Sequence, residues 1–180
     1  VKSIENNNGS YDVHFDYLGE PKVIRCKLII GADGVDSRVG RWAGINTLVK
    51  MKDMESCVQY SVGNIDLDIN RMDMYVGKKY APGGYLWVFP KGEGYANIGI
   101  GISGKYSKEK SAKNYLDEFI SKNYPQATIH TTMCGGVPCA KPIAKPIADQ
   151  LMLVGDAAHF VNPMTGGGIA AAMKSGMFAG

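Results

Sequence analysis

The feature that most constrains this chain is the segment 151–176, LMLVGDAAHFVNPMTGGGIAAAMKSG, in which an apolar run precedes one acid and then three glycines. A short, continuously apolar run is typical of a strand buried in a parallel sheet. A helical pattern follows the glycines, and a helix that begins beyond the carboxyl end of such a strand offers free backbone N–H groups to a ligand. We therefore predict a strand–loop–helix unit in which a large ligand approaches the bare backbone of Gly166, Gly167 and Gly168.

The acid in this segment is Asp156, which follows Gly155 directly after the apolar run. A carboxylate repels phosphate, so its acceptor oxygens suit the hydroxyl groups of a ribose or ribityl chain. The alternative interpretation is a plain tight turn with the aspartate as a helix cap. We favour the ligand site, because a turn alone does not require the whole pattern GDAAHxxxPxxGGG.

A second buried strand is predicted near the start of the chain. Residues 11–17, YDVHFDY, and 22–30, KVIRCKLII, indicate a β-hairpin whose second strand becomes continuously apolar and enters a parallel sheet covered on both faces. The sequence GADGVDSRVGRWAG follows, where Gly31 and Gly34 allow a sharp turn and Asp36 or Ser37 can cap a short helix.

The middle of the chain has a different pattern. SCVQYSV, RMDMYVG, GYLWVFP and GYANIGIGI are separated by Gly, Pro and Asn and predict an antiparallel sheet. Residues 107–125 have the apolar spacing of an amphipathic helix, with Ser107 as its cap and Pro125 as its stop, and this helix is expected to cover one face of the sheet. The Pro- and Gly-rich residues 128–150 are expected to cross back to the first domain.

The predicted fold class is therefore mixed, α+β and α/β. Residues 1–50 and 141–180 form part of a Rossmann-like nucleotide-binding domain, and residues 51–140 form an inserted antiparallel-sheet domain with a covering helix. The first residue is Val1 rather than methionine, and the last segment stops inside a helical pattern. We expect the chain to be a piece of a longer protein.

Composition excludes several classes of function. The 20 basic and 17 acidic residues are spread along the chain, so no basic stripe indicates a nucleic-acid partner. The four cysteines fit neither a redox nor a zinc pattern, and we expect reduced thiols, no metal site and a cytoplasmic location. No apolar stretch reaches the roughly 20 residues that cross a bilayer.

Three motifs resemble one family. GADGVDSRVGR (31–41) and LVGDAAHFVNPMTGGGIAAAMKSG (153–176) are similar to the Asp-Gly and Gly-Asp motifs of FAD-dependent oxidoreductases with the aromatic-hydroxylase type of fold. Between them, PGGYLWVFP (82–90) resembles the signature of the geranylgeranyl reductase branch. The resemblance implies that the family's N-terminal dinucleotide-binding unit precedes Val1.

The resemblance also implies a cofactor, FAD, and residues that bind it. Gly155 and Asp156 are expected to contact the ribityl and pyrophosphate region, and Pro163 is expected to lie beside the flavin ring. The amides of Gly166 to Gly168 are expected to face the pyrimidine edge of the ring. Asp33 and Gly34 are expected to lie near the pyrophosphate. Amides at that edge stabilise the negative charge that gathers there on reduction.

Tyr85, Trp87 and Phe89 alternate along a predicted strand and so point to one face. Three aromatic side chains there are explained equally well as core residues or as the lining of an apolar tunnel for a polyprenyl chain, the substrate that the resemblance implies. We offer Tyr85 and Trp87 as substrate-positioning residues, and the sequence identifies no proton donor.

The function implied by the resemblance is an FAD-dependent reductase that saturates C=C bonds of a polyprenyl lipid. The electron donor would be a nicotinamide, NAD(P)H, or a ferredoxin, and a hydrophobic substrate is compatible with peripheral membrane contact, although no basic amphipathic helix is evident. A flavin monooxygenase of the same fold and a non-catalytic partner-binding lobe without flavin stay open as alternatives. We expect these 180 residues alone to be inactive and to bind FAD weakly or not at all.

Two further patterns are interpreted as structural. GIGISG (99–104) is a literal GxGxxG, but no acid ends a following strand about 20 residues on, so we do not assign it to a dinucleotide. His159 is interpreted as a structural residue in preference to a proton donor near the flavin. Cys134 and Cys139 are explained equally well as small packing residues or as thiols that face the substrate cavity.

Overall fold

The computed structural model describes residues 1–180, which form two compact units, Val1–Val49 with Pro138–Gly180 and Lys50–Val137. That these units are a cofactor domain and a substrate domain remains a prediction. The helices and strands in chain order are β1 (Ser3–Asn6), β2 (Tyr11–Tyr17), β3 (Glu20–Cys26), β4 (Ile29–Gly31), α1 (Arg38–Trp42), β5 (Met54–Gly63), β6 (Asp73–Val76), β7 (Tyr85–Gly92), β8 (Tyr95–Ser103), α2 (Ala112–Asn123), β9 (Thr128–Pro138), β10 (Ile147–Ala148), β11 (Leu151–Leu153) and α3 (Ile169–Ala179).

The first unit is built on a parallel pair of strands. β4 lies parallel to β11, with Ile29 opposite Leu151 and Gly31 opposite Leu153, and β10 adds an antiparallel edge. The two apolar runs thus form the parallel pair that the sequence predicts. A separate antiparallel sheet, β1-β2-β3, contains the predicted hairpin.

The prediction of one continuous strand over residues 22–30 is wrong. The hairpin strand β3 ends at Cys26, and a separate strand, β4, begins at Ile29. The two strands belong to different sheets, since β3 pairs only with β2 whereas β4 pairs with β11. The apolar run is also less covered than expected, since the exposed fractions of Leu28 and Ile30 are 48% and 43%.

The second unit is a five-stranded antiparallel sheet in the order β6-β7-β8-β5-β9. Its first four strands are the four that the sequence predicts. Residues 128–150 were predicted to cross back to the first domain, and the chain does return to the first unit at Pro138, but residues 128–138 form an edge strand, β9, that was not predicted. Gly135, Gly136 and Pro138 have low β-propensity, and pairing with the edge of the sheet overrides it.

Helix α2 covers one face of this sheet, as predicted. Leu116, Phe119 and Ile120 are buried against the sheet residues Val58, Tyr60 and Ile100, among others. Burial of each large side chain stabilises the unit by roughly 1.5–3 kcal/mol. In addition, the Tyr60 hydroxyl donates a 2.6 Å hydrogen bond to Asp117 on α2.

The predicted cap of this helix is one turn too early. The helix begins at Ala112, and the Ser111 hydroxyl accepts the backbone N–H of Asn114. Ser107 instead donates its hydroxyl to the carbonyl of Gly104. Both serines suit a cap by residue type, and only Ser111 is placed to accept an amide of the first turn.

The opposite face of the sheet carries a column of bare backbone. Gly99 and Gly101 lie on β8, between residues of β5 on one side and β7 on the other. A Cβ at Gly99 would overlap with the indole ring of Trp87, so the glycine lets this ring lie directly over the strand. The GxGxxG pattern therefore belongs to a strand, and its first two glycines make room for neighbouring side chains.

We expect Gly99→Ala to lower the free energy of unfolding by about 1–3 kcal/mol, because the new methyl group displaces the Trp87 ring. The matched control is Gly135→Ala on β9, where a Cβ would have no neighbour within 4 Å. Urea unfolding monitored by tryptophan fluorescence measures both. Equal stability of the two variants would contradict the packing described for Trp87.

Candidate functional site

The parallel pairing brings two loops to one edge of the small sheet in the first unit. The loop that contains Asp33 follows β4, and the loop that contains Asp156 follows β11. The last residues of these two strands, Gly31 and Leu153, lie opposite each other. A Cβ at Gly31 would lie 2.6 Å from the Cδ2 atom of Leu153 and 3.1 Å from the Cγ1 atom of Val39, so a side chain there would displace both of these residues. The carboxyl ends of parallel strands are where α/β folds place their ligands.

The Asp33 carboxylate holds the start of α1. It accepts the backbone N–H groups of Arg38 (2.7 Å) and Val39 (3.0 Å) and the hydroxyl of Ser37 (2.7 Å). Partial burial tends to raise the pKa of Asp33, but these three hydrogen bonds outweigh it and the pKa lies below its ordinary value. Gly34 follows with a φ of +77°, which permits the turn into the helix.

The Asp156 carboxylate makes no hydrogen bond within the chain. It lies beside the start of α3, since a Cβ at Gly168 would be 3.0 Å from its Oδ1 atom. Burial raises the pKa of Asp156, and nearby His159 acts in the opposite direction. Gly155 (φ +57°) fixes the turn before it and donates its N–H to the Ser175 hydroxyl on α3. An unpartnered acceptor therefore faces the beginning of a helix.

Asn162 organises the loop between these elements, and the sequence analysis did not identify it. Its side-chain oxygen accepts the N–H of Met164 (2.9 Å), and its carbonyl accepts the N–H of Gly166 (2.8 Å). Pro163 is the second residue of this turn, where its fixed φ is favourable. The Asn-Pro dipeptide was the available signal, because it is typical of turn initiation.

The three glycines differ in what their amides do. Gly166 donates to Asn162 and Gly167 donates to the Thr165 hydroxyl, so both amides are used inside the loop. The Gly168 amide and the first amides of α3 have no acceptor in the chain. The backbone N–H groups that have no partner in the chain are therefore those of Gly168 to Ala171. They begin at the last of the three glycines, and not at the first as the sequence predicts.

His159 has a packing role. It is 5% exposed, and its Nε2 atom lies 3.2 Å from the carbonyl oxygen of Thr47, so the ring donates a hydrogen bond there. Its backbone adopts the left-handed region, with a φ of 57°. The ring thus anchors the loop after β11 to residue 47 of the same unit.

The second unit presents aromatic side chains on the glycine-bearing face of its sheet. Tyr85, Trp87 and Phe89 are half-buried, and their ring centroids are 5.7 Å and 6.1 Å apart along β7. The Trp87 Nε1–H donates to the side chain of Gln59 across Gly99. These residues form a row on the face that α2 does not cover.

Glu55 lies on the same face and was not identified from the sequence. It alternates with Cys57 and Gln59 along β5, opposite in direction to the buried Val58 and Tyr60. Its Oε2 atom is buried and has no hydrogen-bond partner, and burial raises the pKa of Glu55 to about 7. The alternation of polar and apolar residues in ESCVQYS contains this signal, but the burial of the acid could not be read from it.

Comparison with solved structures defines the class of fold. A flavin-dependent brominase matches 99% of this chain and 48% of its own with a TM-score of 0.74 at 15% identity. A flavin-dependent halogenase also gives a TM-score of 0.74, over 99% of this chain and 34% of its own. At such identities the likeness concerns the fold alone, and that fold is the one of flavin-dependent oxidoreductases.

More similar proteins define the family. Residues 53–137 match the geranylgeranyl reductase catalytic domain. A digeranylgeranylglycerophospholipid reductase of Methanococcoides burtonii is 51% identical over 93% of this chain, and one of Methanocella arvoryzae is 48% identical over 90%. The crystal structure of a geranylgeranyl bacteriochlorophyll reductase-like protein from Thermoplasma acidophilum covers 99% of this chain and 46% of its own, with a TM-score of 0.91 at 40% identity.

The chain belongs to the geranylgeranyl reductase family. It spans about two fifths of the length of the curated relatives that it matches, since it covers 41% of each of the two. No helix in the structure has the length and apolar character needed to cross a bilayer.

We expect Asp33→Asn to lower the free energy of unfolding by about 1 kcal/mol at pH 7, because one carboxylate oxygen accepts both N–H groups of α1 and the other accepts the Ser37 hydroxyl, whereas an amide group has only one accepting oxygen. A depressed carboxyl pKa stabilises the fold above the unfolded-state value near pH 4, and this contribution is lost as pH falls through the lower folded-state value. The difference between wild type and variant should therefore shrink in acid.

The matched control is Asp36→Asn, an exposed acid in the same loop whose carboxylate makes no hydrogen bond. Urea titrations at several pH values measure the three proteins. If Asp33→Asn matches Asp36→Asn at pH 7, the capping role of Asp33 is wrong.

Proposed function

We propose that this chain is part of an FAD-dependent reductase that saturates C=C bonds in the prenyl chains of a glycerophospholipid. The observation that carries the proposal is the identity of about half over nearly the whole chain to proteins named digeranylgeranylglycerophospholipid reductase. The match of residues 53–137 to the catalytic domain of geranylgeranyl reductases supports it independently of those full-length names.

The residues at the edge of the small sheet fit a flavin. Gly168 forms a cradle that a Cβ would fill, because it would lie against Asp156 and Val161. The unpartnered amides that start at Gly168 suit an electron-rich ring edge or another anionic group, and the unpartnered Asp156 carboxylate suits hydroxyl donors. A bound flavin would supply the electron pair and hydride for a reduction.

Each candidate cofactor residue then has a role that follows from its contacts. Asp156 would accept from the ribityl hydroxyl groups, Gly155 would hold the turn that presents it, and Pro163 would fix the loop beside the ring. Gly166 and Gly167 would shape that loop, while Gly168 would offer its amide. Asp33 and Gly34 would act indirectly, because the Asp33 carboxylate is already bonded to the N–H groups of α1.

The aromatic row would position the apolar part of the substrate. Tyr85, Trp87 and Phe89 present apolar rings to a face that bare glycine backbone keeps open. Aromatic rings bind an isoprenoid chain through contact area, and the Trp87–Gln59 hydrogen bond keeps the indole N–H satisfied so that only the apolar ring is offered.

An anaerobic reduction assay tests the proposal. The protein, purified at the length of its curated relatives and loaded with FAD, is reduced with dithionite and mixed with a glycerophospholipid that carries geranylgeranyl chains. We expect products heavier by two hydrogens for each bond saturated, measured by mass spectrometry. Dithionite avoids any assumption about the natural electron donor.

Two results would overturn the proposal, each in favour of a different alternative. A product that forms only when oxygen is admitted, and that gains oxygen atoms, would indicate a monooxygenase of the same fold. Purified protein that holds no flavin and binds none on addition of FAD would indicate a non-catalytic lobe. Saturated chains formed without oxygen would exclude both.

A further inference from the structure

Glu55 occupies an unusual position on the glycine-bearing face of the five-stranded sheet. Its Oε2 atom is 2.9 Å from the position of a Cβ on Gly84 and 3.9 Å from that of a Cβ on Gly101. Neither glycine has a side chain, so the backbone beside the carboxyl group is bare. Gly101 pairs with Tyr85 of β7 and with Cys57 of β5, which places Glu55 at one end of the aromatic row.

Structural explanations do not account for this carboxyl group. It forms no ion pair, and its Oε2 atom has no hydrogen-bond partner although it is buried. A polar atom buried in this way destabilises a protein by roughly 1–3 kcal/mol. An apolar side chain of similar size would fill the same space without this cost, so packing alone does not explain an acid at this position.

The surroundings of Glu55 contain no charge that would hold it ionised. The titratable groups on its face are the Cys57 thiol of its own strand and the Tyr85 hydroxyl of β7, while β8 contributes Gly101 and Ser103. From β9, Gly136 lies against the carbonyl of Glu55. Burial, with no opposing cation, raises the pKa of Glu55 to about 7.

A carboxyl group with these properties holds a proton at neutral pH and can release it. General acids work best when their pKa lies near the working pH, and a raised carboxyl pKa in an apolar site is a recurrent way to achieve this. Reduction of an isolated alkene requires such a group, because one of its two carbons must receive a proton. The aromatic row offers only the Tyr85 hydroxyl as a donor, and the acid of the cofactor site, Asp156, is assigned to the ribityl hydroxyl groups.

We propose that Glu55 is the proton donor for the alkene, an assignment that rests on the proposed reductase function. The Glu55 O–H bond breaks and its proton forms a C–H bond at one alkene carbon. A bound, reduced flavin would supply the hydride that forms the C–H bond at the other carbon. The C=C π bond is consumed, the substrate gains two electrons that the flavin loses, and water reprotonates the Glu55 carboxylate.

The test compares Glu55→Gln and Glu55→Asp with wild type in the FAD-loaded protein at the length of its relatives. Glutamine keeps the volume of the side chain and has no acidic proton. We expect single-turnover reduction of the prenyl phospholipid to fall at least about 100-fold in Glu55→Gln. Aspartate is expected to restore part of the rate, with flavin content and the Kd of the phospholipid unchanged in both variants.

The pH dependence separates proton donation from a structural role. The wild-type rate should decline as pH rises through about 7, since the carboxyl group loses its proton there. The residual rate of Glu55→Gln should lack this decline. The matched control is Glu93→Gln, an exposed acid in the turn between β7 and β8, for which rate and pH profile should stay within twofold of wild type.

A readout independent of activity is the carboxyl titration itself. In flavin-free protein labelled with ¹³C at the glutamate carboxyl carbons, one resonance should titrate near pH 7 and be missing from Glu55→Gln. A Glu55 resonance that titrates near 4.5 would overturn the proposal, as would a Glu55→Gln rate within threefold of wild type. Wild-type protein that saturates no prenyl lipid would instead overturn the proposed function, and this proposal with it.

Discussion

The parallel register of β4 and β11 is the constraint on which the first unit depends. Two short strands that are far apart in sequence meet with Gly31 opposite Leu153, and a side chain at Gly31 would displace the side chains of Leu153 and Val39. The register fixes which residues leave the sheet at its edge. It therefore brings the Asp33 loop and the Asp156 loop together, and it sets where α1 and α3 begin.

These two loops use their acids in opposite ways. The Asp33 carboxylate accepts hydrogen bonds from backbone N–H groups of α1, so its role is structural. Asp156 keeps its carboxylate unpartnered beside Gly168, and the amides that follow are unpartnered as well. An acceptor and a set of donors that have no partners in the chain and lie at one place suit a ligand that carries both donors and acceptors. The glycines of β8 have a comparable effect in the second unit, because they give the side chains of Trp87, Cys57 and Glu55 room on the face of the sheet that α2 does not cover.

Much of this architecture could be predicted from the sequence, and the reasons for the failures are specific. The apolar runs identified the parallel pair, alternation identified β5 to β8, and the helical period identified α2. The start of α2 was misplaced because Ser107 and Ser111 are equivalent as cap residues until the backbone is known. β9 was missed because its glycines and proline argue against a strand that only pairing with its neighbour stabilises. For the site, motif resemblance led to Asp156 and Gly168, but Asn162 and Glu55 depend on hydrogen bonding and burial that no local pattern displays.

The central claim of this account is that the loop after β11 and the first turn of α3 bind the flavin. Hydrogen–deuterium exchange of the protein at the length of its relatives, with and without FAD, tests it most directly. The account predicts that FAD slows exchange of the amides from Gly168 to Ala171, which have no acceptor in the chain, and has little effect on the Gly166 amide, which already donates to Asn162. Flavin binding that leaves the exchange of residues 155–171 unchanged would contradict it.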